Sequence, residues 1–269
     1  MRHFRRDENK IIMKRICYIV AMRAEAKPFV EHYGLVKQEG FFAPLPCMLY
    51  SGKVEDAELF VVLNGEQHGA DLIGCEPAAI TTMAAIQQLR PDIVISSGTC
   101  GGWQRYGMEV GRVYIANGAM FHDRRVPGDN EWHTQGIGNY SVWEGAAELA
   151  THLDMPMAKV TTGSSFDMTA EEEAIIDEHG GRLKEMEGAA VAFTCSLFRV
   201  PVMLVKAVTN LRDAEDEDIE AFQRNLATAS ENLRDANIRI IQELVKAPKA
   251  GSLTEQCVSA QQAHGQRGK

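Results

Sequence analysis

Short runs rich in β-branched residues alternate along this chain with longer stretches whose apolar positions recur at helical spacing. Strands are predicted at Arg15 to Met22, Cys47 to Gly52, Leu59 to Asn64, Asp92 to Ser97, Val110 to Asn117, Leu183 to Glu187 and Val202 to Thr209. Several of these are apolar on both faces, which belongs to a sheet covered on two sides rather than to a meander with one wet face. Helices are predicted at Glu25 to His32, Pro77 to Leu89, Val142 to His152, Ala170 to Glu178, Ala189 to Phe198 and about Asp218 to Val245. Thr169, with Glu172 three residues on, reads as a capping box that starts its helix. The alternation predicts an α/β layer fold.

Composition adds that one core suffices. The chain has 269 residues, 45% of them apolar, and no compositional break in its middle, so one domain over residues 15–246 is expected. Residues 1–14 read as a flexible N-terminal segment and residues 247–269, rich in Gly, Ser, Gln and Ala without periodicity, as a disordered tail. A formal net charge of −9 without a Lys/Arg stripe argues against nucleic acid as a partner. No run of 18 apolar residues occurs and the first 14 residues are basic and polar, so no membrane span, no secretory signal and a cytoplasmic protein are expected. Cys17, Cys47, Cys75, Cys100, Cys195 and Cys257 show no C-x-x-C pair and no zinc spacing, so free thiols and no structural metal are expected.

Four segments carry candidate chemistry. Gly98-Thr99-Cys100-Gly101-Gly102 follows an apolar strand, where glycines let backbone N–H groups approach a ligand and Thr99 adds a hydroxyl; a tight turn without a ligand is the bland alternative. It matches neither a Walker loop nor a dinucleotide fingerprint. Lys184-Glu185-Met186-Glu187-Gly188-Ala189-Ala190 runs from a strand into a helix of small residues. Two carboxylates around a thioether suit vicinal sugar hydroxyls and a ring, although Glu185 by itself reads as a solvated edge residue. Ala21-Met22-Arg23-Ala24-Glu25-Ala26 leads into the first helix, where Glu25 taken alone is explained by the helix dipole. Val205-Lys206-Ala207-Val208-Thr209-Asn210 ends another strand in a polar pair. Four such ends pooled at one sheet edge describe the usual site of an open α/β sheet.

Together with Phe121-His122-Asp123-Arg124-Arg125 and Thr162-Gly163-Ser164-Ser165-Phe166-Asp167-Met168, these segments occur in the order and spacing of the methylthioadenosine/S-adenosylhomocysteine nucleosidases, which the chain resembles from about Arg15 to about Val245. The plant-type branch is most similar. The resemblance implies the nucleoside phosphorylase superfamily fold, a three-layer α/β/α sandwich with a central mixed sheet, a purine nucleoside as small-molecule partner, no cofactor and a homodimer. It implies that Glu25 holds and polarises the attacking water, that Met186 and Glu187 bind the ribose, that Phe166 stacks on the base, and that Thr99, Met22 and Thr209 lie against the substrate. His122 and its neighbours would lie in a loop near the dimer interface; a metal at His122-Asp123 is the rival reading, for which no second ligand pair stands out.

Departure of a purine from C1′ leaves an oxocarbenium-like sugar, so a site must stabilise positive charge, supply water and unload negative charge from the base. In the family the last need falls to an aspartate that protonates purine N7, and this chain has Asn210 at the matching catalytic position. The resemblance therefore implies hydrolysis of 5′-methylthioadenosine and/or S-adenosylhomocysteine. Action on 6-oxopurine nucleosides and a non-catalytic nucleoside-binding or storage role are the alternatives. Hexameric phosphorylases place a phosphate-gripping arginine where this chain has Ser96, which favours water over phosphate.

Overall fold

Alternation along the first strand sets the layers. In β1 (Arg15–Val20), Ile16, Tyr18 and Val20 join one apolar cluster while Cys17 and Ile19 join another on the opposite face. The computed structural model describes residues 13–128, 130–214 and 218–246, and within them Met13–Val245 form one compact unit. The expected flexible segment (residues 1–14) lies outside the described residues except for its last two, and the expected tail (residues 247–269) lies wholly outside them.

The remaining strands are β2 (Val36–Gln38), β3 (Met48–Val54), β4 (Ala57–Leu63), β5 (Glu66–Gln67), β6 (Ala70–Asp71), β7 (Ile93–Gly102), β8 (Val113–Phe121), β9 (Met157–Thr162), β10 (Gly181–Glu185) and β11 (Val202–Leu211). The helices are α1 (Arg23–Tyr33), α2 (Cys75–Leu89), α3 (Glu131–Ile137), α4 (Ala146–His152), α5 (Ala170–Glu178), α6 (Gly188–Phe198) and α7 (Asp218–Leu244). Nine strands form one sheet in the order β10-β9-β8-β11-β7-β1-β4-β3-β2, with β5 and β6 as a separate pair. β1 runs parallel to β4 and β7, β11 parallel to β7, and β8 and β10 parallel to β9. β8 meets β11 antiparallel, as β3 meets β4. The sheet is mixed, as expected. Residues of α1, α4 and α7 complete the cluster on one face, and those of α2 and α6 the other, which makes the three-layer α/β/α sandwich.

One pairing shapes the site. Lys184 of β10 pairs antiparallel with Gly101 of β7, so β7, β11, β8, β9 and β10 form a closed ring.

Several expectations shift. The glycine segment is strand rather than turn: β7 continues through Gly98 to Gly102, and all ten of its residues are buried. The strand expected at Val110 begins later, because Gly111 (φ +82°) sits in a turn and donates its N–H to Val208 O. Strand β10 stops at Glu185. The helix expected from Val142 begins at Ala146, since Trp143 N donates to Val202 O. Strands β2, β5 and β6 and helix α3 are too short to read from the sequence, and β9, MAKVTT, lacks an apolar run. The capping box at α5 forms, with Glu172 N donating to Thr169 Oγ1 at 3.2 Å and Thr169 N to Glu172 Oε2 at 2.9 Å.

Candidate active site

Glu25 sits in the first turn of α1, where the helix dipole favours a carboxylate, but its side chain points into the protein and is only 5% exposed. Oε1 accepts from Thr99 N at 2.6 Å and from Thr99 Oγ1 at 2.7 Å, and Oε2 accepts from Met22 N at 3.2 Å. A Cβ at Gly98 would lie 3.1 Å from Oε1, so a glycine there is what lets the carboxylate lie against the strand. Burial raises the Glu25 carboxyl above the usual range, while the Thr99 bonds and the Lys206 charge pull the other way. A carboxyl held so can accept a proton from water.

Glu187 follows β10 and precedes α6. Its Oε1 accepts from Gly74 N at 2.7 Å, at the start of α2. Burial, and then the like charge of Glu185, push it up to about 7, against the pull of Lys206. Glu185 is not the solvated residue expected from the sequence. It is 5% exposed, with Lys206 Nζ donating to Oε2 at 2.8 Å, Gly188 N donating to the same oxygen at 2.7 Å and the Thr162 hydroxyl donating to Oε1. Burial alone would raise the Glu185 carboxyl, but Lys206 and these donors outweigh it and hold it low. Burial likewise opposes the charge on Lys206, yet Glu185 and Glu187 keep it above its ordinary value. A desolvated ion pair is tolerated where further hydrogen bonds complete it. The missed signal was Lys206 itself: a lone lysine inside an apolar strand needs a buried partner.

Phe166 is 36% exposed, its ring 5.6 Å from Phe222 of α7. Lys184 Nζ donates to the carbonyls of Ser165 at 2.8 Å and Phe166 at 3.0 Å, which fixes the segment carrying the ring. Burial, and then Arg212, bring the Lys184 amine down to about 8. Asn210 is 3% exposed. Its Nδ2 donates to Asp218 Oδ1 at 2.9 Å, and its Oδ1 lies 2.9 Å from the Thr209 hydroxyl, which also reaches Cys100 O at 3.1 Å.

All eight residues picked from the sequence line one cavity of about 290 Å³: Met22, Glu25, Thr99, Phe166, Met186, Glu187, Thr209 and Asn210. Sequence reading missed Lys184, Glu185, Arg212, Ile73, Ile219 and Phe222, which line it too. His122 falls elsewhere: it is buried just after β8, with Nδ1 3.0 Å from Thr161 Oγ1 and its Nε2 against Gly163. Burial, and then Lys184, lower its imidazole to about 4. Among the described residues no group of three His, Cys, Asp or Glu side chains could hold a metal, Cys17, Cys47, Cys75, Cys100 and Cys195 are free, and no helix is long and apolar enough to cross a membrane.

An α/β sheet that gathers carboxylates, hydroxyls, thioethers and aromatic rings around one cavity has the composition of a site for a small ligand that carries hydroxyls and a flat ring. The sequence model of the phosphorylase superfamily matches residues 15–242. The chain is 36% identical to a 5′-methylthioadenosine nucleosidase of Arabidopsis thaliana, over 84% of this chain and 85% of the relative. It is 31% identical to a 5′-methylthioadenosine/S-adenosylhomocysteine nucleosidase of the same plant, over 84% and 90%. The apo structure of the Arabidopsis thaliana 5′-methylthioadenosine nucleosidase superposes with a TM-score of 0.85 at 34% identity, covering 88% of this chain and 98% of that one. The chain belongs to the phosphorylase superfamily and, within it, to the methylthioadenosine nucleosidases.

Proposed function

We propose that this protein hydrolyses the N-glycosidic bond of 5′-methylthioadenosine, releasing adenine and the 5-thio-ribose, with S-adenosylhomocysteine as the second candidate substrate. The observation that carries the reading is the pairing of Glu25 with Thr99 in the cavity, on a chain 36% identical to a methylthioadenosine nucleosidase. In this reading Glu25 takes a proton from the attacking water. Glu187, ionised, accepts from the ribose hydroxyls, and Met186 packs on the sugar. Phe166 stacks on the purine, with Asn210 at its edge and Met22, Thr99 and Thr209 completing the wall.

The apolar side chains of Ile73, Ile219 and Phe222 at the cavity suit a short apolar 5′ substituent better than a zwitterionic one, because burying an unpaired charge costs several kcal/mol. A preference for the methylthio substrate follows. Ser96 is 2% exposed in β7 and uncharged, so it offers no grip for a phosphate dianion. The family resemblance supports a homodimer whose second subunit closes the 5′ end of the site, with Trp132, 71% exposed, as the side chain to test at the contact. We further place the protein in the cytoplasm, in methionine salvage.

Adenine release from methylthioadenosine, assayed chromatographically with and without phosphate, tests the activity. Release independent of phosphate is expected; 5-methylthioribose 1-phosphate as product would make the protein a phosphorylase. Light scattering that shows only monomer at micromolar concentration would remove the dimer.

A further inference from the structure

The nucleosidase reading leaves the departing purine without the carboxylic acid that the family resemblance places at Asn210, since the amide of Asn210 has no proton to give. Beside Asn210 the structure holds a cation that the sequence motifs did not single out. Arg212 lies just past the end of β11, its N–H bonded to Gly102 O at 2.8 Å. Its side chain folds back over Gly101, where a Cβ would lie 3.2 Å from Arg212 Cδ and 3.3 Å from Asn210 Nδ2. The bare backbone of Gly101 thus makes room for both residues. Arg212 lines the cavity that Asn210 and Phe166 also line, with a side chain only 9% exposed.

Asp218 ties the two together. Its Oδ1 accepts from Asn210 Nδ2 at 2.9 Å and its Oδ2 from Arg212 Nη1. A guanidinium has N–H donors on three nitrogens, and Nε of Arg212 is buried without a hydrogen-bond partner among the described residues. A buried donor left unpaired costs free energy in the empty protein.

Resting on the nucleosidase reading, we propose that Arg212 is a catalytic residue that stabilises the purine leaving group by charge, in place of the missing acid, and that Asp218 is the positioning residue that holds both Arg212 and the Asn210 amide. The C1′–N9 bond breaks with its electron pair going to the purine, and water oxygen bonds to C1′ while Glu25 takes one of its protons. The purine leaves as an anion against the guanidinium. It then takes a proton from solvent, and Glu25 returns its own to solvent. A fixed cation aimed at developing charge in a water-poor site is an effective substitute for proton transfer.

The test is the dependence of rate on the leaving group. Arg212→Met keeps the length and removes the charge. Its kcat on methylthioadenosine should fall about a hundredfold or more, the scale for losing one electrostatic stabiliser. The counterpart bearing 2-fluoroadenine, an intrinsically better leaving group, should lose less than about tenfold by the same reasoning. Arg212→Lys, which keeps a charge, should fall between the parent and Arg212→Met, and adding Asn210→Asp to Arg212→Met should recover rate by restoring an acid. Equal fractional losses on the two substrates, or no loss at all, would overturn the assignment. A binding readout separates this from the activity itself. 8-Azaadenine, acidic enough to ionise near neutrality, should bind the parent more tightly by calorimetry as it ionises, and Arg212→Met should lose that gain; equal pH dependence in both proteins would count against Arg212. A parent that shows the binding pattern but cleaves no nucleoside would sink the proposed activity and leave the role of Arg212 toward purine anions standing.

Discussion

Thr99 donates twice to one oxygen of Glu25, through its backbone N at 2.6 Å and its hydroxyl at 2.7 Å. The pair joins the start of α1 to the middle strand β7, and it orients the carboxylate as well as binding it. Glu25→Gln keeps the shape but cannot accept a proton from water. Turnover should fall about a hundredfold to ten-thousandfold, with nucleoside affinity, measured by calorimetry, nearly unchanged. Full turnover in the variant would reduce Glu25 to a helix-terminus residue.

The pH profile should show an acid limb. Burial raises both Glu25 and Glu187, the latter to about 7, so both stay protonated to higher pH than ordinary glutamates, whereas the reaction needs them ionised. On this account kcat/KM falls as pH drops through about 7, and Glu187→Gln, always neutral, removes the Glu187 part of that limb at a low rate and leaves the part due to Glu25. Stability runs the other way: the contribution of a raised carboxyl is present at low pH and is lost as pH rises through about 7, because ionising it in the fold costs free energy. Thermal unfolding of the parent and of Glu187→Gln across this range compares the two slopes.

Lys206→Met should cost about 3–5 kcal/mol of folding stability, because it leaves Glu185 buried without its counter-charge. The double variant Lys206→Met/Glu185→Leu should be closer to the parent, since an apolar pair needs no compensation. Denaturant unfolding of the three proteins checks this, and a single variant as stable as the parent would mean that solvent reaches Glu185.

Asn210→Asp would set a carboxyl against Asp218, whose Oδ1 lies 2.9 Å from the present amide nitrogen. Two carboxylates so close cannot both ionise, so one stays protonated and becomes able to protonate purine N7. Cleavage of methylthioadenosine should rise at least about tenfold on general-acid grounds, measured as adenine released per second. A variant no faster than the parent would show that charge stabilisation already meets the need.

The fold was legible because apolar period is a local property. β1, β4, β11, α2, α6 and α7 lie within a few residues of where the alternation predicts them. The eight expected site residues gather because strand ends of an α/β sheet share one edge. Elements of only a few residues, such as β2 and β5, carried too short a pattern to read, and β9 (Met157–Thr162) has polar residues where an apolar run was sought.

What the sequence alone determined, then, is the layering, the cap of α5 and the set of residues brought to the edge. Tertiary structure decided which charges are taken out of water together. Glu185 reads as an edge residue until Lys206, on β11 with β7 between their strands and 21 positions away in sequence, removes the cost of burying it. Arg212 carried no sequence signal, and only the fold gives it a slot over Gly101 and a partner in Asp218. A side chain's apolar character belongs to the residue itself, whereas the free energy of a buried charge depends on groups that only the folded chain brings within about 3 Å.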